Sequence, residues 1–171
     1  KFSYMWFNIK SFLLFLLKSN NQHSVHSPFV YNLVTKCFYH KTNPSKINSI
    51  NSINKWIYTS NKIITISDFS KNNRKISTTK KSALLIRILD YFELNNILEI
   101  GTSIDLITVS LSIGNPKATI HTLKDCEKAA VVTQEIVDAF KLKNIQITIG
   151  EFNETLPSIL NGNQFDLIYF D

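Results

Sequence analysis

The stretch Asn96–Gly114, NILEIGTSIDLITVSLSIG, decides the fold that we predict for this chain. It begins with a short apolar run, Ile97–Ile100, that carries one acid, Glu99, and it continues through a glycine turn into an apolar segment long enough for a helix. A strand, a glycine turn and a helix in this order are typical of a nucleotide-binding βα unit. Glycine lets the backbone approach a ligand closely, and the helix N-terminus presents N–H groups to an anion.

Downstream of this turn, apolar runs typical of strands and helices alternate. We predict strands at Ile97–Ile100, Thr119–Leu123, Ile145–Ile149 and Phe165–Phe170, separated by helices at Leu106–Ile113, Glu127–Phe140 and Glu154–Leu160. Because short connections between alternating strands and helices produce right-handed crossovers, the predicted fold class is α/β, with a Rossmann-like parallel sheet of about four strands.

The first half of the chain is predicted to be a helical extension of this sheet domain. Its helices are expected at Tyr4–Lys18, from Pro28 (capped by Ser27) to Phe38, and at the isoleucine-spaced segment ending near Tyr58. A further helix, Ser82–Phe92, is expected to begin the sheet domain. We expect this helix to bury Leu84, Leu85, Ile88, Leu89 and Phe92. A β-like run, Ile63–Ile66, and a basic surface loop, Lys71–Lys81, precede it. The predicted domains are therefore 1–81 and 82–171.

Composition and short apolar runs indicate which partners and which location to expect for this protein. The net charge is +6, but the chain has two arginines, Arg74 and Arg87, and an excess of Lys, Asn and Ile typical of a coding bias. We therefore predict no nucleic-acid partner. Phe12–Leu17 is too short to span a bilayer and lacks a signal-peptide cleavage site, so we predict no stable membrane insertion. Two distant cysteines, Cys37 and Cys126, indicate reduced thiols in a cytoplasmic protein.

Ligands of such sheets bind at the carboxyl ends of the strands, and those ends are rich in acids. Glu99 and Gly101 end the first predicted strand, and the later ends carry Lys124 with Asp125, Gly150 with Glu151, and Asp171. The turn after the first strand lacks the GxGxxG pattern of a nicotinamide site. Paired histidines, His23 and His26, have no third ligand nearby in sequence, so no metal site is predicted.

These segments resemble a known family. The pattern ILEIGTS…GNPKATIHTL…NIQITIGEFNETLP…FDLIYFD is similar to class I S-adenosylmethionine-dependent methyltransferases of the O-methyltransferase type. The upstream segment HSVHSPFVYNLVTKCFY resembles the N-terminal extension of a bacterial subgroup. The resemblance implies S-adenosylmethionine as the cofactor and transfer of a methyl group to a small-molecule substrate. The catalytic residues are unknown.

The resemblance also implies roles for individual residues. Glu99 and Gly101 would shape the methionine end of the pocket, and Asp125 would hold the ribose. Glu151 and Phe152 would lie beside the adenine, and Asp171 would face the reaction centre. The other predicted cofactor-binding residues are Thr102, Ser103 and Gly150. A carboxylate suits a ribose diol because it accepts two hydrogen bonds.

Three departures from the family pattern keep alternatives open. Asp105 stands where the family has glycine, Lys124 aligns with the acid that holds the ribose, and the sequence ends at Asp171 while the family sheet continues. One alternative is a catalytically inactive truncated remnant or binding module, and another is a different Rossmann-like nucleotide binder.

We also expect the apolar fourth strand to lie at the sheet edge and to permit self-association.

Overall fold

A computed structural model of the chain describes residues 2–18, 27–59, 79–101 and 106–170. The chain divides into two units, Lys1–His40 and Lys41–Asp171. The sequence-based division at residue 81 stays a prediction. No helix in the described ranges is long and apolar enough to cross a membrane.

The first unit contains α1 (Phe2–Lys18) and α2 (Pro28–Asn32), and α2 continues into a π-helical segment, Leu33–Phe38. The predicted start of α2 is confirmed, because Pro28 is its first residue and the Ser27 hydroxyl accepts a hydrogen bond from the Val30 N–H at 3.4 Å. Such a cap satisfies one of the N–H groups that a helix start leaves without an intrahelical partner.

The second unit is built on a sheet of four parallel strands. Its elements are α3 (Pro44–Thr59), α4 (Thr79–Phe92), β1 (Asn96–Ile100), α5 (Leu106–Gly114), β2 (Thr119–Lys124), α6 (Glu127–Phe140), β3 (Ile145–Ile149), α7 (Phe152–Leu160) and β4 (Leu167–Phe170). The strand order is β3-β2-β1-β4, with every neighbouring pair parallel. The predicted α/β class and its Rossmann-like sheet are therefore confirmed.

Two apolar clusters join the helices to the sheet. One packs α4 and α5 against β1 and β2 through Leu85, Leu89, Ile107, Leu111, Ile97 and Ile120. The other lies between helices α3, α4, α5 and α6, and includes Ile50, Ile53, Ile57, Ile86, Val109 and Ile136. The isoleucine spacing of α3 thus predicted its buried face correctly, since three of those isoleucines are at most 2% exposed.

The predicted buried face of α4 is partly wrong. Leu85 and Leu89 are buried as expected, but Ile86 is also fully buried, whereas Phe92 is 42% exposed. The reason is that α4 packs on two sides, against the sheet through Leu85 and Leu89 and against the helical cluster through Ile86. The prediction assumed one apolar stripe, which suits a helix that packs against one layer, but α4 packs against both the sheet and the other helices.

The segment before α4 also differs from its prediction. Residues 79–81, assigned to a basic loop from sequence, form the first turn of α4. The rest of the predicted loop, and the β-like run Ile63–Ile66, lie outside the described residues.

The fourth strand lies at one edge of the described sheet, as predicted. Its outward side chains Ile168 and Phe170 are 43% and 71% exposed. Self-association through this edge stays a prediction.

Asparagine and aspartate side chains hold the amino edge of the sheet together. The Asn144 amide donates to the carbonyls of Asn115 and Ala118 at 3.2 and 3.0 Å. The Asp166 carboxylate, just before β4, accepts hydrogen bonds from the N–H groups of Asn95 and Asn96 at 2.8 and 2.9 Å. These contacts fix the start of β4 against the start of β1.

We predict that the contribution of Asp166 to stability depends on pH. The two backbone N–H groups hold the pKa of its carboxyl below the ordinary value of 3.8. A carboxyl whose folded pKa is lowered stabilises the fold above its unfolded pKa, and this contribution is lost as the pH falls through the folded value. The difference in unfolding free energy between wild type and Asp166→Asn, measured in urea, should therefore be largest near neutral pH and shrink below 3.8. A difference that stays constant with pH would contradict this.

The turn between β3 and α7 requires glycine. Gly150 has a φ of +150°, and a Cβ built on it would lie 2.6 Å from the Thr155 methyl group. We expect Gly150→Ala to lower the free energy of unfolding by about 2–4 kcal/mol, from backbone strain and steric overlap together. Gly162→Ala is the matched control, because Gly162 also has a positive φ, +83°, but nothing lies within 4 Å of its added Cβ. It should cost about 1–2 kcal/mol, and equal losses in urea titrations would exclude the overlap with Thr155.

Candidate functional site

The candidate site lies at the carboxyl edge of the sheet, where the strand order reverses. The chain passes from β1 through α5 to β2 and through α6 to β3 in one direction, and then returns through α7 to β4 on the other side of β1. In open α/β sheets, ligands bind beside the strand ends at such a reversal. The end of β1 is therefore the centre of the candidate site.

Glu99, one residue before the end of β1, is fully buried. Its Oε2 accepts a hydrogen bond of 2.6 Å from the Thr108 hydroxyl on α5, while its Oε1 has no hydrogen-bond partner among the described residues. The Nζ of Lys124, which is 1% exposed, lies 3.5 Å from that Oε1. Within the described ranges, Glu99 and Lys124 are the two buried side chains that carry charge.

The register of the sheet explains why these two side chains meet. Glu99 aligns with Thr122 on the neighbouring strand, and Lys124 follows Thr122 by two residues. Since side chains alternate between the faces of a strand, Glu99, Thr122 and Lys124 all point to one face. Lys124 is the last residue of β2, and its long side chain reaches from β2 back to the Glu99 carboxylate on the neighbouring strand β1.

Backbone hydrogen bonds hold the strand ends close together. The Gly101 N–H donates to the carbonyl of Leu123 at 3.2 Å, and the Gly150 N–H donates to the carbonyl of Lys124 at 3.0 Å. Gly101 is buried, and Gly150 is half-buried. The two glycines thus lie on either side of the end of β2.

The remaining described site residues lie at the exposed ends of β2 and β3. Asp125 follows β2 and is exposed, and Glu151 is exposed immediately before α7. The Glu151 carbonyl accepts hydrogen bonds from the Thr155 N–H and hydroxyl at 3.0 and 2.8 Å, which fixes the first turn of the helix. Phe152 is half-buried and is the first residue of α7, which begins two residues earlier than predicted.

Six residues of the sequence-based reasoning about sites lie outside the described part of the chain: His23, His26, Thr102, Ser103, Asp105 and Asp171. Their predicted roles stay predictions. Among the residues that are described, no group of three or more His, Cys, Asp or Glu side chains could hold a metal ion.

Sequence reasoning missed two features of the site. It identified Lys124 as a departure from the family pattern but not as the partner of Glu99, because nothing local in the sequence specifies strand register. It also missed Thr108, whose hydroxyl lies in the otherwise apolar segment LITVSLSIG. A polar side chain on the buried face of such a helix is the signal that could have identified it, since buried hydroxyls require hydrogen-bond partners.

Comparison with known proteins gives a structural likeness. No protein-family model matches the sequence, and no curated protein is significantly similar to it. Several solved structures do share its architecture.

Three of these solved structures are methyltransferases. An O-methyltransferase from Bacillus cereus in complex with S-adenosylhomocysteine (SAH) is 20% identical, with a TM-score of 0.54 over 83% of this chain and 59% of that one. An SAH-bound methyltransferase from Podospora anserina is 17% identical, with a TM-score of 0.56 over 86% and 58%. The O-methyltransferase TomG from Streptomyces achromogenes, in complex with S-adenosylmethionine, is 15% identical, with a TM-score of 0.55 over 90% and 63%.

The chain spans about three-fifths of the length of these solved structures. At these levels of identity, the similarity concerns the fold. The chain thus has the Rossmann-like α/β fold of class I S-adenosylmethionine-dependent O-methyltransferases.

Proposed function

We propose that this chain binds S-adenosylmethionine at the carboxyl edge of its sheet and forms the cofactor-binding part of a methyltransferase. The observation that carries the proposal is the reversal of strand order beside β1, whose end bears a buried carboxylate, Glu99, and a buried glycine, Gly101. This is where an open α/β sheet binds a nucleotide-like ligand. Methyltransferases with the same fold, crystallised with SAH or S-adenosylmethionine, support it.

The described residues fit parts of such a cofactor. The Oε1 of Glu99 has no hydrogen-bond partner in the described ranges, but the ammonium of Lys124 lies 3.5 Å from it. The exposed carboxylates of Asp125 and Glu151 suit ribose hydroxyls and an adenine amino group, respectively, and the half-buried ring of Phe152 suits an adenine face. The buried ammonium of Lys124 beside Glu99 does not fit a second cation.

When bound, the cofactor supplies a methyl group activated on a sulfonium ion. The protein then has to hold an acceptor in line with that methyl group, since positioning supplies much of the rate enhancement when no protein nucleophile is needed. We propose a small-molecule acceptor. A cytoplasmic location is also proposed, because Cys37 and Cys126 form no disulfide in the part of the chain that the structure describes.

A second candidate function is a non-catalytic binding module with an altered pocket. The specific observation that favours it is the ion pair between Lys124 and Glu99, in which a lysine of the chain is close to the carboxylate that a cofactor cation would approach. Under this alternative the fold is retained and SAH does not bind to the wild-type chain.

We predict that isothermal titration calorimetry will detect SAH binding with micromolar affinity. Asp125→Ala should weaken it by about tenfold or more, because a charge-assisted hydrogen bond would be lost. Asp138→Ala is the matched control: Asp138 is also an exposed acid, but it lies near the end of α6, which returns the chain toward the amino edge of the sheet. Absence of SAH binding to the wild type would contradict the proposed function, and binding of NAD instead would indicate another Rossmann-like enzyme.

We also predict a strong energetic coupling between Glu99 and Lys124. Removing one charge of a buried pair leaves the other without compensation, so Lys124→Met should lower the free energy of unfolding by about 3–5 kcal/mol. The double variant Glu99→Gln/Lys124→Met should be more stable than Lys124→Met alone, because no isolated charge remains buried. Urea titrations measure both. Lys143→Met removes an exposed lysine as the control and should change stability by less than about 0.5 kcal/mol.

A cost for Lys124→Met as small as that of the Lys143 control would show that the pair is not buried in solution.

A further inference from the structure

The buried pair of Glu99 and Lys124 bears on which ligand the site selects. A buried charge is tolerated when a counter-charge and hydrogen bonds compensate for the loss of water. Here each oxygen of the Glu99 carboxylate contacts a side chain of a different element. Oε2 accepts the hydrogen bond from Thr108 on α5, and Oε1 faces the ammonium of Lys124 on β2 at 3.5 Å.

This arrangement places a positive charge of the protein where a cationic ligand group would otherwise be attracted. The amino-acid end of S-adenosylmethionine carries an ammonium group, for which a buried carboxylate at the end of β1 is the natural complement. With Lys124 in place, the pair has no net charge, and a second ammonium would meet a like charge at short range. Like charges brought together in a poorly solvated site cost several kcal/mol.

We propose that Lys124 is a specificity-determining residue that acts as an internal counter-ion for Glu99. The ammonium of Lys124 satisfies the carboxylate, so the site gains nothing from an ammonium group on its ligand and recognises the adenosine part instead. This inference rests on the proposed function, because it assumes that an adenosine ligand binds at the carboxyl edge.

Two ligands that differ by one group test the inference. SAH carries the ammonium, and its deamino analogue has hydrogen in place of the amino group but retains the carboxylate, the thioether and the adenosine. Calorimetry on the wild-type chain should give an affinity for SAH that is no higher than the affinity for the deamino analogue, since Glu99 is already neutralised and a second ammonium would meet that of Lys124. For Lys124→Met, SAH should bind at least about tenfold more tightly than the deamino analogue, because Glu99 can then accept hydrogen bonds from the ammonium.

Three further variants separate selectivity from folding. In Glu99→Gln/Lys124→Met the ratio of affinities should return to near one, because the carboxylate is absent. Lys124→Gln, which is neutral and polar, should behave as Lys124→Met does, and it serves if circular dichroism shows that the methionine variant is unfolded. Lys143→Met, the exposed lysine control, should keep the wild-type ratio.

The outcomes distinguish this inference from the proposed function. A wild-type chain that already prefers SAH by tenfold or more overturns the inference and leaves the proposed function in place. Binding of SAH that appears when Lys124 is neutralised, but is absent in the wild type, supports the inference and favours the binding-module alternative. Absence of binding of both ligands to every folded variant overturns both.

Discussion

The carboxyl edge of the sheet depends on one buried ion pair. Glu99 and Lys124 come from neighbouring strands, and both are almost fully removed from water. Either charge alone would be costly in that environment, so each one compensates for the burial of the other. The hydroxyl of Thr108 completes the set by donating to the second carboxylate oxygen. The ion pair and Thr108 therefore link β1, β2 and α5 beside the reversal of strand order, which is where open α/β sheets bind ligands.

The two edges of the sheet are built from different chemistry. At the amino edge, side chains of Asn144 and Asp166 satisfy backbone groups of the neighbouring turns, which fixes the strands relative to one another. At the carboxyl edge, the strand ends are joined through glycine N–H groups and the buried pair, while the carboxylates of Asp125 and Glu151 remain exposed. Exposed carboxylates that could contact a ligand thus lie at the carboxyl edge, while the polar side chains described at the amino edge are bonded to the backbone.

Much of the fold was predictable because it depends on local periodicity. Isoleucines at helical spacing gave the buried face of α3, and alternating apolar runs gave β1–β4 with their helices to within a few residues. The prediction for α4 failed in part because a helix between two layers buries more than one stripe, as Ile86 does. At the site, the sequence identified the acids at the strand ends and the unusual Lys124, but it gave no indication of which of them meet.

The sequence by itself determined the alternation of strands and helices, the glycines at the turns after β1 and β3, and the resemblance to class I methyltransferases. These features depend only on residue type and on the spacing of residues along the chain. The tertiary structure alone decided that Lys124 lies against Glu99. That contact depends on the register between β1 and β2, which is set by packing of the whole sheet and its helices. The physical reason is that strand register decides which residues from distant parts of the chain become neighbours. A buried charge is stable only where the register places an opposite charge beside it.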